Sequence, residues 1–307
     1  MRIVLIGAVA FTRHCLDSML AVGANVVGVA GPRPSAATIN SDYVDMPAEA
    51  RIRGLHGIPF DSVRAPETLD AVAALKPDVV FVCGLSQLLP AELLAIPPLG
   101  VIGTHPSLLP HGRGRHPLIW TLVEGLKEGG LTFFRIDEGT DTGDIVWQQA
   151  FPVGDDDDAA VLYARIEALA AKAITELVPR FADGTVRYRP QDHTRATVWR
   201  RRTKEDGEIR WDAPSRTCHN LIRALTRPYV GAHTWLDDRL LRVWKAAPAS
   251  CLAVGSEAPG TILSVDGGRL LVRTGDGALG ILDWDWDQDW DQSSAPEAGA
   301  CLGRSLR

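Results

Sequence analysis

The chain has 307 residues, of which 46% are hydrophobic and 23% charged. This composition belongs to a folded globular protein and excludes a disordered or fibrous one. Its 32 Lys and Arg residues against 38 Asp and Glu residues give a net charge of −6, so no general attraction to nucleic acid or anionic membranes is expected. The length predicts two domains, or one large α/β domain with an appendage.

The N-terminal part alternates short apolar runs with helical spacing. The helical spacing is clearest at Cys15, Leu16, Met19 and Leu20. Strands alternating with helices are typical of βαβ units. The sequence therefore predicts an α/β fold: a mostly parallel, Rossmann-like sheet with helices on both faces. The predicted strands are residues 2–7, 25–30, 77–83, 99–104, 131–136 and 145–153.

The pattern changes in the C-terminal part. A long helix is predicted over 159–181, and the acidic run 155–158 before it is interpreted as helix capping rather than a metal site. After it come short β-type runs separated by glycine-containing turns, which predict a small C-terminal β-barrel-like domain. The predicted division is one domain over 1–181, a polar linker over 182–198 and a second domain over 199–307.

Several common sites are excluded or disfavoured by the sequence. Gly7 follows the first strand without the further glycines of a dinucleotide-binding loop, and neither a P-loop nor a G-x-S-x-G motif is present. The alternating Trp/Asp run 283–291 fits an edge strand better than a ligand platform.

The five cysteines are odd in number and widely spaced, with no C-x-x-C pair. They are interpreted as small buried apolar residues in a reducing compartment, and no structural metal is predicted. No stretch of the sequence has the pattern of a membrane span, because the longest charge-free one is interrupted by prolines. A cytoplasmic protein is expected.

Two segments carry candidate chemistry. Residues 103–117 read GTHPSLLPHGRGRHP and place His105 directly after an apolar strand, at the end where open α/β sheets expose ligand crevices. Residues 137–144 read DEGTDTGD and place Asp141 at the centre of a loop. A carboxylate within reach of an imidazole fixes its tautomer, so the pair is a candidate general base and acid.

The segment HPSLLP…GRG, followed by DTGD with Asp141 36 residues after His105, resembles the folate-dependent formyltransferases. Members of that family formylate methionyl-tRNA, glycinamide ribonucleotide or amino sugars. The resemblance extends to VCGLSQLLP over 82–90, which is similar to the family's donor-pocket loop. It continues through TKEDGEIRW over 203–211, NLIRA over 220–224 and residues 229–246, which resemble its C-terminal domain.

The resemblance implies roles for individual residues. His105 would accept the proton of the attacking amine and protonate the departing folate nitrogen, and Asp141 would orient the ring and raise its basicity. Arg115 would lie beside the donor, 10-formyltetrahydrofolate, or order its loop through an ion pair; both interpretations stay open. A planar pterin suits an apolar slot edged by backbone groups. The residues implied to line that slot are Gln87, Leu88 and Leu89 with Asp137, Glu138, Gly139, Thr140 and Asp141.

One position departs from the family. Gly103 stands two residues before the histidine, where the family places an Asn that donates to the developing oxyanion. Loss of one such donor typically costs about a hundred- to a thousandfold in rate. Another donor could replace it. The candidate positions are Gly103 and Thr104, and the candidate groups are the Thr104 hydroxyl, a backbone N–H or a nearby His. The chemistry could also tolerate a weaker site, or the protein could bind ligands without transferring a group.

The acceptor is predicted from the segment that follows the second strand. Members that use tRNA carry a Lys/Arg-rich loop there, whereas residues 32–48 of this chain contain only Arg33. The sequence therefore favours a small amine, above all a nucleotide-linked amino sugar, over nucleic acid. Methionyl-tRNA is the alternative acceptor, and a catalytically impaired folate-binding or regulatory protein is the alternative from another class. Surplus apolar surface on the C-terminal domain would suit a homodimer.

Overall fold

The computed structural model describes residues 1–36, 42–249, 256–287 and 295–303. Its contacts divide the chain into two compact units. The first unit comprises Met1–Pro117, Glu128–Pro152 and Tyr163–Arg200, and the second comprises Leu118–Lys127, Val153–Leu162 and Arg201–Arg307. The domain bounds expected from the sequence, 1–181 and 199–307 with a linker over 182–198, stay a prediction.

A seven-stranded sheet dominates the N-terminal region. Its order is β3-β2-β1-β4-β5-β7-β8, in which the first five strands are parallel, β7 runs antiparallel to β5, and β8 runs antiparallel to β7. This confirms the predicted α/β fold with a mostly parallel sheet. The elements are β1 (Ile3–Ile6), α1 (Ala10–Ala21), β2 (Val26–Pro32), α2 (Met46–Ile52), β3 (Gly57–Phe60), α3 (Pro66–Ala74), β4 (Val79–Val82), α4 (Ala91–Leu94), β5 (Val101–His105), β6 (Arg113–Gly114), α5 (Pro117–Val123), β7 (Glu128–Arg135), β8 (Ile145–Pro152), α6 (Ala159–Ala182) and β9 (Val198–Trp199).

The central strands explain why the sequence shows continuous apolar runs. Every residue of β1 (IVLI) and β4 (VVFV) is buried, as expected of parallel strands covered on both faces. In α1 the predicted helical stripe faces the interior, since Cys15, Leu16 and Met19 are all fully buried. The apolar runs thus form the central strands of the sheet, and the helix with the apolar stripe packs its buried face towards the interior.

The acidic run before α6 has the capping role that the sequence predicts. Asp158 accepts a hydrogen bond at Oδ1 from the backbone N–H of Val161, 3.0 Å away, which satisfies an otherwise unpaired donor of the first helical turn. Asp155 instead pairs with Lys127 and Arg216 within the second unit. These carboxylates therefore have structural partners.

The C-terminal region contains a five-stranded antiparallel sheet of order β10-β11-β14-β13-β12. Residues 299–303 bond to both of its edge strands: Gly303 donates to the carbonyl of Trp235, and Ile262 donates to that of Ala300, each over 2.8 Å. Because this segment links the two edges, the sheet has the predicted barrel-like character. The elements are α7 (Ser215–Leu225), β10 (Ala232–Leu236), β11 (Arg239–Pro248), β12 (Ile262–Asp266), β13 (Arg269–Arg273) and β14 (Ala278–Trp286).

The first residues of the Trp/Asp run form the end of β14, a strand that lies between β11 and β13. The pairing with β13 covers only Ala278 to Ile281, so the residues of the run have a strand partner on one side, which agrees in part with the predicted edge strand. Asp283 to Trp286 pair with β11, and the rings of Trp284 and Trp286 meet edge to face with centroids 6.0 Å apart. Residues 288–291 of the run lie outside the described part of the chain.

The cysteines are free thiols where they are described. Cys15, Cys83 and Cys218 are buried, as predicted, and burial raises the pKa of the Cys218 thiol to about 11. Cys301 departs from the prediction because it is exposed, and Cys251 lies outside the described residues. None of the helices in the described ranges combines the length and the apolar character that crossing a membrane would require.

Candidate active site

The candidate site lies at the carboxyl end of β5, within the first unit. Val82, the last residue of β4, pairs with Gly103, so the loop that follows β4 begins beside the end of β5. His105 is the last residue of β5 and is only 5% exposed. The histidine therefore lies at the carboxyl end of a parallel strand, the edge at which open α/β sheets bind ligands.

The segment after β7 runs along β5 and brings Asp141 to His105. Three contacts follow in order: the backbone N–H of Ile136 donates to Val101, the Ile136 side chain lies against Gly103, and Asp141 lies beside His105. Asp141 thus lies beside His105 at the end of β5, although the two residues are 36 positions apart in the sequence. The structure places together the two residues that the sequence singled out.

The geometry of the pair assigns its ring hydrogens. His105 Nε2 lies 2.7 Å from the carbonyl oxygen of Gly112, and because a carbonyl only accepts, Nε2 donates. His105 Nδ1 then faces Asp141 Oδ2 at 3.6 Å, which is within ion-pair range but longer than a hydrogen bond. A proton accepted at Nδ1 would be stabilised by the adjacent carboxylate. The arrangement can therefore accept and return one proton.

Asp141 is itself held in place by backbone. The N–H of Gly114 donates to the same Oδ2 atom over 2.9 Å. The Asp141 residue has φ +54°, in the left-handed region that Asp tolerates better than most residues. The segment 112–114 therefore contacts both members of the pair, His105 through the Gly112 carbonyl and Asp141 through the Gly114 amide.

The space that a side chain at position 103 would need is already filled. A Cβ atom on Gly103 would lie 2.8 Å from Ile136 Cδ1, 2.9 Å from Ile136 Cγ1 and 3.2 Å from Phe134 Cε1. Side chains alternate along a strand, so Thr104 lies on the face opposite to Gly103 and His105. That placement argues against the Thr104 hydroxyl as the oxyanion donor and leaves backbone N–H groups and neighbouring histidines as candidates.

The loop after β4 contains the residues expected to hold the donor. Gln87 accepts at Oε1 from the backbone N–H of Val63 over 2.9 Å, so its side chain orders the loop. Arg115 donates to the carbonyl of Ser86 over 3.0 Å, which ties the loop to the histidine motif. Leu88 is 61% exposed, so its apolar side chain is open to a ligand. Leu89 is half-buried and packs on the core.

The turn between β7 and β8 carries the other expected donor residues. Asp137 accepts at Oδ1 from the N–H of Gly139 over 3.0 Å and from the Thr142 hydroxyl over 2.5 Å. Asp137, Glu138, Gly139 and Thr140 are all exposed. Their backbone is thus shaped by a local hydrogen-bonded turn and is open to a ligand. No group of side chains suited to hold a metal ion occurs in the described ranges.

Two buried residues that sequence reasoning did not single out lie next to the pair. Gln191, from the segment predicted as a linker, donates through Nε2 to the carbonyl of Asp141. Arg113 donates to the Gln191 amide oxygen. Gln191 lies 50 residues beyond Asp141, and nothing in its local sequence marks it, whereas Arg113 stands inside the motif that carries His105.

Comparison with known proteins adds two family matches. The sequence model described as "Formyl transferase" matches residues 1–178, and that described as "Formyl transferase, C-terminal domain" matches residues 201–289. The chain is 36% identical to a methionyl-tRNA formyltransferase of Citrifermentans bemidjiense over 284 residues, which cover 92% of this chain and 87% of that protein. It is 34% identical to one of Chloroflexus aggregans over 290 residues, or 92% of each chain.

Among solved structures, the N-formyltransferase of Helicobacter canadensis, in complex with folinic acid and dTDP-3-aminofucose, covers 92% of this chain and 98% of its own. The TM-score is 0.69 at 18% identity. At that identity the likeness shows a shared fold and not a shared acceptor.

Proposed function

Because this chain belongs to the formyltransferase family, we propose that it transfers a formyl group from 10-formyltetrahydrofolate to the amino group of methionyl-tRNA. The observation that carries the acceptor is the 34–36% identity to methionyl-tRNA formyltransferases over nine-tenths of the chain. That similarity spans both family regions, residues 1–178 and 201–289. Both parts of the chain therefore support the proposal.

His105 and Asp141 manage the proton in this reaction. The amine nitrogen attacks the formyl carbon of the donor and forms the new C–N bond, while His105 Nδ1 accepts the amine proton. The positive ring then stands 3.6 Å from the Asp141 carboxylate, which stabilises it. The bond between the formyl carbon and the folate nitrogen breaks, and the proton returns to that nitrogen as tetrahydrofolate leaves.

The residues that the resemblance implies for the donor slot suit a donor with a flat, hydrogen-bonding ring. Leu88 offers an exposed apolar side chain, and the turn formed by Asp137 and Gly139 presents open backbone. Two hydrogen bonds hold the loop after β4: Arg115 donates to the carbonyl of Ser86, and Gln87 accepts from the N–H of Val63. A pterin bound here would exclude water from the face of His105, which strengthens electrostatic interactions inside the site.

An amine on a nucleotide-linked sugar is the second candidate acceptor. It is favoured by the composition of residues 32–48, a segment whose single basic residue is Arg33. Two acidic side chains of that segment are fixed: Asp42 accepts from the Tyr163 hydroxyl over 2.7 Å, and Asp45 accepts from the N–H of Ala48 over 2.9 Å. An acidic segment gives no electrostatic attraction to a tRNA backbone.

The experiment compares both acceptors in one assay. Purified protein is given 10-formyltetrahydrofolate with methionyl-tRNA or with dTDP-3-aminofucose, and tetrahydrofolate release and the formylated product are measured, with His105→Gln as the inactive control. We expect a higher kcat/KM with methionyl-tRNA. Faster turnover of the sugar would favour the second candidate. Donor binding without transfer to either acceptor would favour the alternative of a folate-binding, non-catalytic protein.

A further inference from the structure

The backbone of Asp141 needs support from outside its own turn. Its φ of +54° is a conformation that residues other than glycine visit at an energetic cost. The carboxylate must nevertheless stay close to His105, from which it is separated by 3.6 Å between Oδ2 and Nδ1. A small rotation of this turn would move the carboxylate away from the ring.

Gln191 supplies such support through its side-chain amide. Its Nε2 donates to the carbonyl oxygen of Asp141 over 2.9 Å and to that of Gly143 over 2.7 Å. Both amide hydrogens are therefore committed to the turn that carries Asp141. The side chain is 6% exposed, so water does not compete freely for these two carbonyls.

Arg113 fixes which way the Gln191 amide points. Its guanidinium donates from Nη2 over 2.6 Å and from Nε over 3.2 Å to the amide oxygen. A guanidinium has only donors, so a flipped amide would set its NH2 group against Arg113 and its oxygen against two carbonyls. His193 Nδ1 accepts a further hydrogen bond from Arg113 over 3.1 Å. The orientation of Gln191 is thus determined by its partners.

The same stretch of chain also holds the segment that contacts His105. The backbone N–H of Arg113 donates to the carbonyl of Thr197 over 2.9 Å, and that of Arg115 donates to the carbonyl of Trp199 over 3.1 Å. Gly112, whose carbonyl accepts from His105, donates its own N–H to the Thr197 hydroxyl over 2.8 Å. Residues 191–199 therefore hold both partners of the candidate catalytic pair.

We propose that Gln191, oriented by Arg113, is a positioning residue that fixes the Asp141 turn and thereby keeps the carboxylate against His105. The inference rests on the proposed function, in which these two side chains manage the proton. Gln191 acts through Asp141. Its loss therefore lowers kcat more than it changes the KM for the donor.

Gln191→Met is the first variant, because it keeps the length of the side chain and removes its hydrogen bonds. We expect kcat to fall by about ten- to a hundredfold, the scale on which displaced catalytic groups lose rate. Gln191→Glu keeps an oxygen for Arg113 but sets a second oxygen against the carbonyls of Asp141 and Gly143, so it stays impaired. Gln149→Met is the matched control, since it is the same substitution at an amide that accepts from Lys172 and does not contact the turn.

A double-mutant cycle separates positioning from general loss of stability. In an Asp141→Asn background the carboxylate is absent, so Gln191→Met leaves the residual kcat unchanged to within about twofold. An equal fractional loss in both backgrounds would overturn the proposal. Melting temperatures of all variants establish that they fold. If Gln191→Met does not fold, Gln191→Glu replaces it in the cycle.

A measurement that does not require catalysis tests the role of Gln191 separately from the proposed formyl transfer. The ¹⁵N signals of the His105 ring, assigned by their loss in His105→Gln, report what faces Nδ1. We expect Gln191→Met to shift them in the same direction as Asp141→Asn. Unchanged ring signals in Gln191→Met would refute the positioning role even if transfer is confirmed. A protein that transfers no formyl group would refute the proposed function while this spectrum still tests Gln191.

Discussion

Ile136 occupies the space beside Gly103, with its Cδ1 atom only 2.8 Å from where a Cβ atom of residue 103 would stand. The family's asparagine amide therefore has no room at this position in the present packing. An apolar side chain thus fills the space next to Gly103, and the ring edge of Phe134 lies 3.2 Å from the same Cβ position. The size of the side chain that position 103 can hold therefore depends on the side chain at position 136.

Gly103→Asn is therefore expected to lower both turnover and stability. Overpacking a well-filled interior costs about 1–3 kcal/mol, because neighbours must leave their preferred rotamers. Steady-state kinetics with the cognate amine and thermal unfolding measure the two effects. An increase in kcat from the single substitution would show that the loss of the asparagine is a simple deficit.

Relief of the clash gives the complementary test. Gly103→Asn combined with Ile136→Ala makes room for the amide, so stability recovers relative to Gly103→Asn alone. Gly103→Leu with Ile136→Ala is the matched control, since leucine has nearly the size and branching of asparagine without a donor. A faster rate for the Asn pair than for the Leu pair would assign the gain to an oxyanion hydrogen bond, with about a hundredfold as the upper scale.

His105 and Asp141 are expected to act as one unit. His105→Ala and Asp141→Ala each remove the proton-handling step, so each lowers kcat by about a hundred- to ten-thousandfold while donor binding persists. The double variant then loses little more than either single one, because the two side chains serve the same transfer. Single-turnover rates and donor Kd values measure this. Losses that add in free energy would contradict it, and Asp70→Ala controls for removal of an exposed carboxylate.

The apolar pattern predicted the sheet well because buried parallel strands leave a continuous signal. Ile3 to Ile6 and Val79 to Val82 were identifiable in this way. The pairing of His105 with Asp141 was predictable only through the motif resemblance. Their 36-residue separation says nothing about distance, which depends on the path of residues 136–141 along β5.

Other parts of the site depend on contacts that no local pattern encodes. Gln191 lies in a polar stretch typical of a linker, and a single amide there has no sequence signature. The closure of position 103 depends on Ile136, which reaches it only because β7 pairs antiparallel with β5. Thr104 is different: the sequence analysis made it a candidate oxyanion donor, although alternation along the strand, already visible in the sequence, places its side chain away from His105.

Arg223 is expected to stabilise the second unit through its buried guanidinium. It donates to the carbonyls of Gly154 and Asp157 over 2.9 and 2.7 Å, and its Nε donates to Asn220 Oδ1 over 2.9 Å. Arg223→Lys cannot satisfy all three acceptors, and each unsatisfied buried group costs about 1–3 kcal/mol. Denaturant unfolding should show the loss. Arg210→Lys, in an exposed pair with Asp212, is the control and stays within about 1 kcal/mol of wild type.

His219 is expected to make the second unit sensitive to acid. Burial, reinforced by the positive charges of Arg223 and Arg216, lowers the pKa of this imidazole. The unfolded chain binds a proton at His219 below about pH 6.5, whereas the folded chain resists it until lower pH. Between those values the unfolded state holds more protons, so the free energy of unfolding falls as the pH drops. Above pH 6.5 the imidazole is neutral in both states and contributes no slope.

The prediction is tested by melting temperatures at pH 8 and pH 5. In His219→Gln the decrease in Tm between the two should be smaller than in wild type by a few degrees, the shift that about 1 kcal/mol produces in a chain of this size. Each variant is compared with its own value at pH 8, which removes the packing cost of the substitution. His56→Gln, at an exposed histidine, should keep the wild-type decrease. An equal decrease in His219→Gln and wild type would mean that other groups cause the acid sensitivity.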